Sequence, residues 1–113
     1  MSEQRDRIEH FVDTLKATEQ VFILANNEAI CITNTNQDPE QDMLLAWSEL
    51  PLIEAELKNW PGFKVITLDV SEFTDLVADL AEDNILVGLD LSDEQVAIEL
   101  SAQQFLNEFS NAN

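Results

Sequence analysis

Apolar residues recur along this chain with two periods, and their alternation sets the element order. Ile8, Phe11, Val12 and Leu15 follow the spacing of one helical face, which predicts a helix over residues 3–18 with Ser2 as its cap. Gln20–Ala25 is apolar on both faces and rich in β-formers, which predicts a buried strand. Asn26-Asn27 predicts a tight turn into a return strand over Ala29–Thr33, because asparagine tolerates the positive φ that two-residue turns demand. The polar, proline-containing stretch 35–42 predicts a loop, and Met43–Trp47 a third strand. Ser48 is then placed to cap a short helix carrying Leu50, Ile53 and Leu57, stopped by Trp60-Pro61-Gly62 before a strand over Phe63–Leu68.

The third helix has the clearest start. Asp69 and Glu72 stand at capping-box spacing, and Leu68 and Phe73 flank them as a hydrophobic staple. Phe73, Leu76, Val77 and Leu80 form its buried stripe. Ile85–Leu91 and Val96–Leu100 predict a hairpin across Ser92–Gln95. Ser101 with Gln104, and Leu100 with Phe105, repeat the box and staple for a last helix buried through Leu106 and Phe109, with 110–113 expected to fray. Two hairpins and segregated helices predict an α+β domain: one mixed or antiparallel sheet of five to six strands with about four helices packed on it. A chain of 113 residues makes one domain, 1–113.

Several short motifs in this order resemble a known family. They are the strand ending in Trp47-Ser48-Glu49, the downstream Trp60, the strand-to-helix segment Ile66–Phe73, and the glycine-containing stretch Glu82–Leu89. Together they resemble the bacterial domain-of-unknown-function family 2750 along nearly the whole chain. Here Ser48 stands where that family's proline follows the tryptophan, and the loop at 35–42 is longer. A weaker likeness runs to the N-terminal domain of the serine-sensitivity-enhancing proteins. The resemblance implies the fold class and a bacterial origin; it brings no activity and no catalytic residue.

Charge changes the picture most. The formal net charge is −18, from 23 acidic and five basic residues, beside an apolar fraction of 45% that is ample for a core. Such a surface repels phosphate backbones and anionic membranes, so the expectation is no direct nucleic-acid binding and no membrane binding. The single cysteine, Cys31, permits no internal disulfide, and the charged N-terminal residues do not resemble an export signal, so a cytoplasmic location is expected.

Candidate chemistry is sparse. His10 is the only histidine and has no nucleophile-elbow pattern beside it. Cys31 sits in a strand with no cationic neighbour in sequence, which suits a buried small hydrophobe. Asp38, Glu40, Asp42 and Glu49 imitate a calcium loop, but Met43 occupies the obligatory glycine position and the strand over 43–47 cuts the loop. Gly62 and Gly88 are the only glycines, and neither belongs to a phosphate-cradling motif. No catalytic residue, cofactor or metal is therefore expected. Trp47 and Trp60 bracket the short second helix, as the edge of a core or as an anchor for a partner.

The remaining signal is one-sided acidity. From Val65 onward the chain has no lysine or arginine. Glu72, Asp75, Asp79, Glu82 and Asp83 fall at helical intervals opposite the apolar stripe of the third helix. The like-charge pairs Asp75–Asp79 and Asp79–Asp83 each cost a few tenths of a kcal/mol. Such a face serves either solubility or recognition. The expected function is a non-enzymatic binding domain for a basic protein, with Trp47, Trp60 and these five carboxylates as candidate contacts. Two alternatives stand beside it. One is a small carboxylate-based enzyme with a cleft near Trp47 and Trp60, which requires a buried Asp or Glu of raised pKa beside a pocket. The other is a phosphate-mimicking inhibitor of a nucleic-acid-binding protein.

Overall fold

Strand alternation divides the core into two faces. A computed structural model of the chain describes residues 3–34, 40–92 and 97–111. Its elements are α1 (Glu3–Thr18), β1 (Gln20–Ala25), β2 (Ile32–Asn34), β3 (Asp42–Ala46), α2 (Leu50–Glu56) with a 3₁₀ turn at Leu57–Asn59, β4 (Lys64–Asp69), α3 (Val70–Glu82), β5 (Leu86–Leu89), β6 (Ile98–Ser101) and α4 (Ala102–Asn111). Val21 and Ile23 of β1, Leu44 and Ala46 of β3, Val87 and Leu89 of β5, and Ile98 and Leu100 of β6 point to one side. There they meet the apolar stripes of α1, α3 and α4. The intervening residues Phe22, Leu24, Met43, Leu45 and Trp47 point to the other side, against Ile53 of α2. The period of two along each strand thus yields three layers, with helices covering both faces of the strands.

The class is α+β, as expected, but the hydrogen bonds divide the strands into two sheets rather than one. β1 pairs antiparallel with β4, and a separate four-stranded sheet has the order β2-β3-β5-β6. Within the latter, β3 and β5 are parallel, while β2–β3 and β5–β6 are antiparallel. An isolated bridge from Phe22 to Trp47 joins β1 to the chain just past β3, and another from Ala25 to Ile30 closes the turn after β1. β1 changes partner along that edge, which interrupts the ladder.

Local grammar explains most element ends. At α3 both halves of the capping box are made: Asp69 Oδ1 accepts from the Glu72 N–H at 2.8 Å, and Glu72 Oε1 accepts from the Asp69 N–H at 3.0 Å. At α4 Ser101 Oγ accepts from the Gln104 N–H at 2.9 Å. Two expectations need correction. The Asn26-Asn27 turn does not use positive φ; Asn26 Oδ1 instead accepts from the Glu28 and Ala29 N–H groups at 2.8 and 2.9 Å. Ser48 does not cap α2. Glu49 is the N-cap residue and makes no side-chain cap bond, while the Ser48 hydroxyl is engaged with Asp90. The expected Ser2 cap and the loop residue Asp38 lie outside the described residues, as does most of the Ser92–Gln95 link.

Gly88 of β5 lies beside Leu45 of β3 in the parallel pair. A Cβ there would stand 2.7 Å from Met43 Sδ and 3.0 Å from a Leu45 methyl, so this strand position accepts no side chain without displacing the second core face.

Candidate functional site

The five acidic residues of α3 are all exposed. Glu72 is folded back into the capping box, which leaves Asp75, Asp79, Glu82 and Asp83 as the free row. Its members span about 12 Å along the axis at helical rise. Among the described residues none of the four forms an ion pair. Three of them also lie toward the carbonyl end of the helix, where the dipole disfavours negative charge.

The tryptophans are not part of that surface. α3 packs on the first core face, whereas Trp47 and Trp60 belong to the second. Trp47 has no exposed surface and donates its indole N–H to the Leu91 carbonyl at 2.8 Å. Trp60 is half-buried, and its indole nitrogen has no hydrogen-bond partner among the described residues. It borders a cavity of about 190 Å³ shared with Met43, Leu45 and Leu91. The helix row and the two aromatics therefore face different directions.

A second constellation, built around Asp90, leaves no local pattern in the sequence. It forms at the carboxyl ends of the parallel pair β3 and β5. Just past β5 the Asp90 N–H donates to the Ala46 carbonyl at 2.9 Å, and the backbone takes a positive φ of 53°. Aspartate tolerates this left-handed conformation better than most residues. The turn aims the carboxylate back at the residues that follow β3. Asp90 Oδ1 accepts from the Ser48 N–H at 2.9 Å, and Ser48 Oγ donates to both carboxylate oxygens at 3.2 and 3.1 Å. Ser48 is buried at 2% exposure, so this carboxylate is what satisfies its two donors.

α1 closes the other side. Arg7 Nη2 donates to the Asp90 carbonyl at 3.3 Å, and His10 Nε2 lies 2.9 Å from Glu49 Oε2. Between them is a cleft of about 300 Å³ lined by Asp6, Arg7, His10, Glu49, Leu52 and Asp90. Burial pushes the Asp90 carboxyl pKa up; the two Ser48 bonds and His10 pull it partly back, and Glu49 adds to the rise. The arrangement can hold or release a proton at Asp90 and can pair a cation between carboxylates.

Neither Cys31 nor the calcium-like spacing forms a site of its own among the described residues. Burial raises the Cys31 thiol pKa, which disfavours the reactive thiolate. Asp42 opens β3, while Glu49 lies beyond its far end, so the strand separates the two. Among the described residues no group of His, Cys, Asp and Glu converges to hold a metal ion.

Comparison with known proteins settles the family. A family model described as protein of unknown function (DUF2750) matches residues 8–109. The chain belongs to the DUF2750 family. Tic22 from Plasmodium falciparum, a solved structure, is similar at 18% identity with a TM-score of 0.44, over 78% of this chain and 48% of that one. The DUF2750 chain thus spans about half the length of that protein. No curated protein matches it. Nothing among these comparisons bears on the likeness to serine-sensitivity-enhancing proteins. No helix among the described residues is long and apolar enough to cross a membrane.

Proposed function

We propose that this DUF2750 protein is a non-enzymatic binding domain of the bacterial cytoplasm that docks a basic protein on the acidic face of α3. One observation carries the reading. Asp75, Asp79, Glu82 and Asp83 stand exposed in a row, with no ion pair among the described residues, on a helix whose own electrostatics they oppose. A negative row of this kind steers a cationic partner and fixes its register, more than it adds raw affinity. An inhibitor that imitates nucleic-acid phosphates is a special case of the same surface.

The double charge reversal Asp75→Lys with Asp79→Lys tests it. Tagged wild-type protein is expected to retain a basic partner from native lysate at low salt and to lose it at high salt. The double variant is expected to lose it at low salt while its thermal unfolding stays cooperative. Partner retention unchanged by the reversal would remove the reading.

A second reading, a small carboxylate enzyme, draws on Asp90 alone: a half-buried carboxyl of raised pKa beside a pocket, lying close to Trp47. The carboxyl resonance of Asp90, followed by NMR through a pH titration, is expected to titrate above the ordinary aspartate range. Titration at the ordinary value would leave no tuned acid or base in the cleft.

A further inference from the structure

Arg7, His10, Glu49 and Asp90 form a mixed-charge cleft whose parts come from three separate elements. α1 supplies the two nitrogen groups, the residue before α2 supplies Glu49, and the turn after β5 supplies Asp90. The place is meaningful in itself. At the carboxyl end of β3 the chain departs for α2 on the second face, while α1 covers the first, and crevices of this kind outside parallel strands are where open sheets commonly bind ligands.

The groups that line the cleft restrict what fits. Three carboxylates (Asp6, Glu49, Asp90) outnumber the Arg7 guanidinium and the His10 imidazole around the cleft, so the site favours a cation. The ligating side chains do not converge on one point, which suits an extended organic cation better than a compact metal ion. His10 already occupies one oxygen of Glu49, and Ser48 holds the carboxylate of Asp90 in place without replacing a counter-ion. Arg7 spends one N–H on the Asp90 carbonyl and keeps others for an acceptor on the ligand. Leu52 gives the wall one apolar patch.

We propose that the cleft binds a small molecule carrying a primary ammonium group, held by Asp90 and Glu49, and a neighbouring hydrogen-bond acceptor, held by Arg7. Free amino acids and amino sugars share this chemistry. The proposal rests on the cleft of the second reading, and it requires no catalysis there. The desolvated Asp90 carboxylate is the group that gains most from an ammonium partner, because its present surroundings leave its charge incompletely compensated.

The test is a titration of the full chain, read through backbone amide NMR shifts, with two matched pairs of probes. Leucine is compared with its desamino counterpart isocaproate, and glucosamine with glucose. One amine is expected to give saturable shifts at Arg7, His10, Ser48–Leu52 and Asp90, and its partner without the amine none. Which pair responds distinguishes the two sources. Asp90→Asn keeps an acceptor for Ser48, and Glu49→Gln alters only an exposed side chain. Each is expected to weaken binding about tenfold or more. Absence of saturable shifts from either amine overturns the proposal. So do equal shifts from amine and desamino probes, or shifts spread over α3 and abolished by salt. Magnesium producing the same shifts would overturn it in favour of a metal site. Saturable amine binding with no chemical change in the bound amine would leave this proposal standing and remove the enzyme reading.

Discussion

Phe105→Ala is expected to cost about 3–5 kcal/mol of folding stability, a large share of what a domain of this size commonly has. Phe105 is fully buried on α4 and is the ring that unites three helices. It meets Phe11 of α1 edge-on at 5.8 Å and 82°, and Phe73 of α3 edge-on at 5.5 Å and 81°. It also stacks on Phe109 at 6.3 Å and 18°. Truncation loses the transfer energy of the ring, leaves a cavity that three rigid neighbours cannot collapse, and removes both edge-to-face contacts. The urea midpoint should fall steeply, and the melting temperature by more than about 10 °C. Phe109→Ala is the comparison. That ring is only partly buried and meets Lys16 on its face at 4.9 Å, so its loss should cost clearly less. Equal costs for the two would show that the first core face is not organised around Phe105.

The inward turn of Phe105 was legible in the sequence, and the reason is local, whereas Phe109, expected to be buried as well, is only partly so. Phe105 sits at the staple position after Ser101, where the helix start dictates which side chain turns inward. The same holds for Phe73 after Asp69, and Val77 and Leu80 of that stripe are buried as their spacing implies, while Leu76 is only partly so. Strand existence was equally plain, because apolar runs bounded by turn residues need no distant partner to be recognised. What stayed hidden depends on pairing across the chain. β1 joins β4 and not the strand that follows it, and β3 joins β5 across α2, β4 and α3. Neither choice leaves a trace in local pattern. The Asp90 site is hidden for the same reason, since its partner Ser48 lies 42 residues away. The one clue was an acidic residue directly after an apolar, glycine-containing strand. Ser48 shows the converse: a good local cap was taken over by a long-range bond. Trp47 shows how an aromatic at a strand end becomes core when the second face closes over it with Ile53 of α2.

Asp90 replaced by alanine and by asparagine should give opposite results, and the pair isolates what its carboxylate does. Alanine leaves the Ser48 N–H and hydroxyl without their acceptor at a buried position, a cost of about 1–3 kcal/mol. It also forces a non-glycine residue without a short polar side chain into positive φ, at about 1–2 kcal/mol. A loss of about 2–5 kcal/mol is expected from the sum. Asparagine keeps an oxygen for Ser48, tolerates the same backbone, and removes the desolvated charge. At neutral pH it is expected to match or exceed the wild type. The sign follows from the raised pKa. Because burial lifts the folded-state pKa above the unfolded one, protonation of Asp90 favours the fold. That contribution is fully present below the unfolded carboxyl pKa and is lost as pH rises through the folded value. The advantage of asparagine should therefore be largest near neutrality and should close as the pH is lowered through that window. Urea unfolding of both variants and the wild type across the acid range measures it. An advantage that grows on acidification would mean that the Ser48 bonds outweigh desolvation, and that Asp90 is a settled structural anion with no charge left for a ligand.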